Sequence, residues 1–340
     1  MNKLFKKVTA VALAGLLTAS VFAGCSKATD SAESTEPAAA AKTSYNIGIC
    51  QLVQHPALDD ATKGFKDKLT ALGEANGITF NFDEQNGANE PSTCATICNG
   101  FVADGVDLIM ANATPALQAA MAATSEIPIL GTSVTDYATA LDIDNWTGTT
   151  GMNISGTADL APLVDQAAMI KELCPDAKTV GILYCSAEAN SVYQATVVAD
   201  ELQKLGIASE KYTVSDTNDI AQVVQLACDK SDAIYIPTDN TMASSTGIIE
   251  PITSAANIPV IAGEEGIAKG CGVATLSISY YSIGEKTAEM AYEILVNGAD
   301  PSTMEIQFDT TPVNKYVADR AAALGITVPD TYEAIDMTAE

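Results

Sequence analysis

From Tyr45 onward the chain alternates short apolar runs with longer stretches in which apolar residues recur every three or four positions. The short runs predict strands at 46–50, 79–83, 108–111 and 129–130, and again at 179–184, 211–214, 233–236 and 259–262. The longer stretches predict helices at 56–75, 93–104, 114–123, 162–173, 191–205, 219–228, 241–256 and 283–297. Strands alternating with helices predict a parallel α/β architecture. The two sets also match each other in order. Asn46-Ile47-Gly48-Ile49 recurs as Thr179-Val180-Gly181-Ile182, the run 107–114 recurs as 232–239, and Ile127-Pro128-Ile129-Leu130 recurs as Ile258-Pro259-Val260-Ile261. Ordered matches of this kind predict two similar Rossmann-like lobes. Three crossings, near Met152-Asn153, Ser277-Ile278 and Gln307-Phe308, would join them. The N-terminal lobe is then 45–152 plus 278–307, and the C-terminal lobe 153–277 plus 308–340.

Open parallel sheets bind ligands beyond the carboxyl ends of their strands. Two facing lobes would bring six strand-end loops to one cleft. The first lobe offers Gln54-His55-Pro56-Ala57-Leu58-Asp59, Asn112-Ala113-Thr114-Pro115 and Thr132-Ser133-Val134-Thr135-Asp136. The second offers Ser186-Ala187-Glu188-Ala189-Asn190-Ser191, Pro237-Thr238-Asp239-Asn240 and Gly263-Glu264-Glu265-Gly266. Taken singly, each group has a second role open to it, capping or turning the next helix.

Ahead of the lobes, Lys3, Lys6 and Lys7 precede an apolar run from Val8 to Ala23 that is closed by Gly24-Cys25. The run is too short for a span and ends in small residues, which predicts a signal peptide over 1–24. Phe22-Ala23-Gly24-Cys25 resembles a bacterial lipobox, with Phe22 where Leu is usual. That resemblance implies lipidation of Cys25 and an anchor in the membrane. Residues 25–44 are rich in Ser, Thr, Ala and acids and read as a solvated tether.

Composition narrows the function. The 17 Lys and Arg stand against 43 Asp and Glu, a formal charge of −26, which repels phosphate backbones and excludes nucleic acid as a partner. A single histidine, His55, leaves no His-clustered metal site, and no phosphate loop, dinucleotide fingerprint or nucleophile motif is present. No catalytic residue, metal or cofactor is predicted. Apart from Cys25, seven cysteines at irregular spacing read as buried free thiols rather than a disulfide framework. Cys94 and Cys98, four apart on a helix, lack the further ligands a zinc site needs.

Several segments together carry a family resemblance. They are Gln54-His55-Pro56-Ala57-Leu58-Asp59, Ala113-Thr114-Pro115-Ala116, Val134-Thr135-Asp136, Ser155-Gly156-Thr157-Ala158-Asp159-Leu160, Glu188-Ala189-Asn190-Ser191, Pro237-Thr238-Asp239-Asn240 and Tyr280-Tyr281-Ser282-Ile283-Gly284. From about Tyr45 to the C-terminus the chain resembles the ABC-transporter substrate-binding family that includes tryptophan- and tyrosine-binding lipoproteins. The resemblance implies a type I periplasmic-binding-protein fold and a role outside the cytoplasmic membrane. It also implies a small-molecule ligand, with an amino acid foremost, delivered to an ABC permease and its ATPase. Gly263-Glu264-Glu265-Gly266 departs from the Ser-Asp-Glu-Ser expected in relatives and places a longer carboxylate there. A binding protein for a sugar or nucleoside, or a surface adhesin, stands as the alternative.

An amino-acid ligand would set its carboxylate against helix starts near Thr114-Pro115, Thr135 and Asn190-Ser191. Its ammonium group needs an acid, for which Glu264, Asp239, Asp136 and Glu188 compete. Glu264 follows a buried strand without an evident capping pattern and ranks first, whereas Asp136 and Asp239 also suit helix caps. His55 either contacts ligand or caps the helix begun by Pro56. Gln54 and Asn240 add polar contacts, while Tyr184, Leu58, Tyr137, Tyr193 and Met242 offer apolar wall for an aromatic side chain.

Overall fold

The computed structural model describes residues 42–309 and 311–338. The predicted signal peptide, Cys25 and nearly all of the predicted tether lie outside the described residues. Apolar alternation builds the first sheet from β1 (Ser44–Gln51), β2 (Thr79–Asn86), β3 (Leu108–Asn112), β4 (Ile129–Val134) and β5 (Ile154–Ala158). Between and after these strands run α1 (Pro56–Asn76), α2 (Pro91–Asp104), α3 (Thr114–Ala123) and the short α4 (Tyr137–Ala140). The second lobe continues with α5 (Leu163–Leu173), β6 (Thr179–Cys185), α6 (Ala189–Lys204), β7 (Ala208–Val214), α7 (Ile220–Lys230) and β8 (Ala233–Ile236). There follow α8 (Asn240–Ala243), α9 (Thr246–Ala256), β9 (Val260–Ala262), α10 (Glu265–Cys271) and β10 (Ala274–Ser277). The chain ends with α11 (Tyr280–Asn297), β11 (Gln307–Phe308), β12 (Val313–Tyr316), α12 (Ala318–Ala323) and β13 (Glu333–Ala334).

The sheets run β11-β5-β4-β3-β1-β2 and β13-β12-β10-β9-β8-β6-β7. All pairings are parallel except β12 against β10. Successive strand residues feed opposite faces, as the period of two requires. Ile47 and Ile49 meet Phe65, Leu69, Met290 and Ile294 on the α1–α11 side, while Cys50 and Ile109 meet Cys94, Cys98 and Phe101 on the α2–α3 side. In the second lobe Ile182 and Tyr235 pack with Ile170 and Val198, and Leu183 and Ile236 with Val224 and Ile249. The seven cysteines among the described residues are buried free thiols, as their irregular spacing predicted.

Two glycines bring α11 onto α1. A Cβ at Gly64 would lie 2.2 Å from the Tyr281 carbonyl oxygen, and one at Gly284 would lie 2.1 Å from that of Ala61. This close approach seats the start of α11 beside the start of α1.

The crossings differ from expectation at one place. β5 pairs with β4, and β11 pairs with β5, so 154–158 and 307–308 belong to the first sheet. The first crossing therefore follows Ala158 rather than Met152-Asn153, and the third follows Phe308. Ile154-Ser155-Gly156-Thr157-Ala158 is buried throughout but carries too few large apolar residues to read as a strand. The helix predicted at 241–256 is two, α8 and α9. The Ser244-Ser245 pair between them favours a turn, because short polar side chains compete with helical backbone bonding.

Candidate functional site

The carboxyl ends of the two sheets' strands face each other across the lobes. His55 Nε2 lies 3.3 Å from Asn240 Oδ1, and Asn89 Nδ2 donates to Thr241 Oγ1 at 3.1 Å. In the first sheet, adjacent strands β5, β4, β3 and β1 lead into Asp159, Thr135, Thr114 and His55. In the second, β9, β8 and β6 lead into Glu264, Asp239-Asn240 and Glu188-Asn190.

Four carboxylates in this zone are buried: Asp159, Glu188, Asp239 and Glu264. Among the described residues none of them is in a salt bridge. Three are held by backbone amides. Glu188 accepts from the amides of Asn240 and Thr241 at 3.1 and 2.9 Å, and from Asn240 Nδ2 and Thr241 Oγ1 at 2.7 and 2.8 Å. Asp239 accepts from the Met242 and Cys185 amides at 2.8 and 2.7 Å. Glu264 accepts from the Gly266 and Ile267 amides and is the N-cap of α10. Asp159 is different. Thr135 Oγ1 and Tyr280 OH donate to its two oxygens at 3.0 and 2.9 Å.

Burial without a counter-cation disfavours the charged form of Asp159, Glu264 and Asp239. It lifts the Asp159 carboxyl to about 6 against the pull of its two hydroxyl partners. It lifts Glu264 to about 7, and Asp239 to about 8 with help from the neighbouring charge of Glu188. Burial lowers the pKa of His55, which favours neutral imidazole.

A second feature marks the same zone. Buried polar atoms nearly always find partners, and each one left without costs about 1–3 kcal/mol. Of seven buried, unpartnered side-chain atoms among the described residues, Ser231 Oγ precedes β8 and Thr275 Oγ1 lies within β10, and the other five are His55 Nδ1, Asn112 Oδ1, Thr114 Oγ1, Ser133 Oγ and Asn190 Oδ1. All five stand at or just beyond strand carboxyl ends. Ala113 and Ser133 also hold φ of 94° and 53°, unfavourable for residues with a Cβ, and such strain concentrates at binding sites. By contrast, a cavity of about 340 Å³ at the crossings, lined by Asp60, Glu264, Glu265, Tyr280 and Asp309, carries none of these unpartnered atoms.

Several of the candidate residues also serve the fold. Glu264, expected to lack a capping pattern, caps α10 because Gly266 and Ile267 present their amides two and three residues on. Asp136 caps α4 through the Thr139 amide, and Asp239 caps α8. Gln54 is exposed and lines a groove made by first-lobe residues, among them Asp59, Lys63 and Glu84. Leu58 and Met242 are buried in the cores, and Tyr184 joins the core of its own lobe. His55 makes no side-chain cap. Thr114, Pro115, Thr135, Asn190 and Ser191 are buried at strand ends, as the loop pattern predicted. Ser133 lies in a loop the sequence offered to the cleft, and Asp159 and Tyr280 lie in segments that carry the resemblance, but none of the three was given an individual role. The signal for Asp159 was its place after Thr157-Ala158, but an unread strand hides its own end.

Residues 46–336 match the model of the ABC transporter substrate binding protein family. The chain belongs to this family. Its members are binding proteins rather than enzymes, the extracytoplasmic components of importers. A tyrosine-binding protein of Clostridioides difficile strain R20291 is 34% identical over 333 residues, spanning 98% of this chain and 93% of that one. Among solved structures, the ABC domain in complex with L-Trp from Streptococcus pneumoniae is 31% identical. It covers 86% of this chain and 100% of its own, with a TM-score of 0.81. A ligand-free, open substrate-binding protein with adhesive properties from Clostridium difficile is 35% identical over 86% of this chain and 99% of its own, yet its TM-score is 0.66. The more similar sequence is the less similar shape. In this chain His55 and Asn89 hydrogen-bond across the lobes.

Proposed function

We propose that this chain is the lipid-anchored binding component of an ABC importer. It captures a free aromatic L-amino acid between its lobes and presents it to the permease. The carrying observation is the strip of unpartnered buried polar atoms and uncompensated buried carboxylates at facing strand ends. A zwitterion supplies what that strip lacks: a cation for an acid, and acceptor oxygens for Thr114 and Ser133. The named ligands of the two relatives, tyrosine and L-Trp, favour an aromatic side chain. Cys25 is the proposed lipidation site and 26–44 the tether.

A thermal-shift panel of the twenty L-amino acids, nucleosides and simple sugars tests this. Ligand at 100 times its dissociation constant adds about 2.7 kcal/mol of stability. Tyrosine, phenylalanine or tryptophan should stabilise more than alanine, and stabilisation by sugars or purines alone would overturn the ligand assignment. Cys25→Ala expressed in a bacterium should move the protein from the membrane fraction to the soluble one.

A further inference from the structure

The four buried acids are not equivalent, and the difference shows which one meets the ligand's ammonium group. Glu188, Asp239 and Glu264 each accept from two backbone N–H groups with fixed direction. Those bonds begin helices α8 and α10, so the three acids are committed to structure. Asp159 has a different environment. Apart from its own backbone amide, its partners are two hydroxyls, each free to rotate and serve as acceptor instead.

Position singles it out as well. Asp159 is the first residue past β5, at the crossing between lobes. Tyr280 begins α11 just after the second crossing, and Thr135 follows β4, the strand beside β5. Thr135 therefore belongs to the first lobe, while Tyr280, which packs with second-lobe core residues, and the Asp159 carboxylate stand at the join. On the adjacent strand β4, Ser133 Oγ is 95% buried and unpartnered, and at the end of the next strand Thr114 Oγ1, at the start of the ten-residue helix α3, is 98% buried and unpartnered. An acid with adaptable partners at one strand end, and unpartnered hydroxyls on the two strands that follow it in the sheet, match the two charged ends of an amino acid in kind.

Resting on the ligand class proposed above, we infer that Asp159 pairs with the ligand's ammonium group, with Thr135 and Tyr280 as positioning residues. The Thr114 end of the strip takes the carboxylate.

The test is a cycle of ligand and protein changes read by calorimetry on the full chain. Asp159→Asn keeps the size of the side chain, removes its charge and turns one acceptor oxygen into a donor, which a rotated hydroxyl can accept. The parent should bind the L-amino acid roughly 100- to 1,000-fold more tightly than the same compound without its amino group, such as 3-(4-hydroxyphenyl)propionate for tyrosine. Asp159→Asn should lose that discrimination, weakening the amino acid by about the same factor while binding the deaminated compound no less tightly than the parent. Equal weakening of both ligands would show a merely structural role and overturn the inference. So would loss of discrimination in Glu264→Gln with retention in Asp159→Asn. If the parent selects a non-aromatic amino acid, the aromatic reading fails, but the same cycle with that ligand still decides Asp159. Binding only of ligands without an amino group overturns both. Should Asp159→Asn not fold, a crystal structure of the parent with its amino acid decides. The ammonium nitrogen within about 3.2 Å of the Asp159 carboxyl supports the pairing, and the nitrogen against Glu188, Asp239 or Glu264 overturns it.

Discussion

Replacing Glu188 by Gln isolates the structural use of a buried acid. Both Glu188 oxygens face backbone amides, Oε2 that of Asn240 and Oε1 that of Thr241, and each also takes a side-chain donor. A glutamine fits one side only. Whichever way its amide turns, an NH₂ group confronts a backbone N–H, and one buried donor loses its acceptor. A hydrogen bond to a charged group contributes about 1.5–3 kcal/mol, and an orphaned buried donor costs about 1–3 kcal/mol. Their sum is a loss of about 2.5–6 kcal/mol. One effect offsets part of it: the charge of Glu188 helps raise Asp239, so its removal lets that carboxyl ionise more easily. A net loss of roughly 3 kcal/mol is expected, seen as a lower urea midpoint with an unchanged denaturant slope. A loss below about 1 kcal/mol would refute the argument, because it would mean that the amides of α8 find other acceptors at no cost. Discrimination between an amino acid and its deaminated analogue should survive the change, since it is assigned to another acid.

Stability of the ligand-free chain should fall as pH rises from about 5 to 8. Asp159, Glu264 and Asp239 are raised to about 6, 7 and 8, so each holds its proton more tightly folded than unfolded. That contribution is complete below about pH 4 and is lost through those values. His55 acts in the opposite sense near pH 6.5, one group against three. Thermal melts across that range check this, and a melting temperature that rises throughout would contradict it. His55→Ala removes a contact between the lobes, and scattering of the ligand-free chain should show a radius of gyration larger than the parent's. An identical radius would assign the bond no part in closure. Gly284→Ala would drive a methyl into the Ala61 carbonyl, and chemical denaturation should show a loss of about 1–3 kcal/mol. A neutral result would mean that α1 and α11 can separate without cost.

What the sequence determined by itself was whatever depends on local pattern. Periodicity placed eight strands, β1 to β4 and β6 to β9, and most of the long helices, because a face that must be buried repeats every two or every 3.6 residues. The internal repeat disclosed two lobes. The polar loops 112–115 and 188–191 were legible as strand ends, and Thr114 and Asn190 are buried there with unpartnered atoms. Tertiary structure alone decided the rest. β5 pairs in the middle of a sheet although Ser155-Gly156-Thr157 has no strand-like apolar run, since neighbouring strands and not its own residues bury it. Asp159, just past its end, lies in a segment that carries the resemblance, but its place at a strand end was not legible. Glu264 and Asp159 are both acids one or two residues past a buried strand, and nothing in their spelling separates them. The difference lies in what surrounds each: amides of a helix start for Glu264, two rotating hydroxyls from distant parts of the chain for Asp159. A carboxylate's role follows from its partners, and partners far apart in sequence are brought together only by the fold.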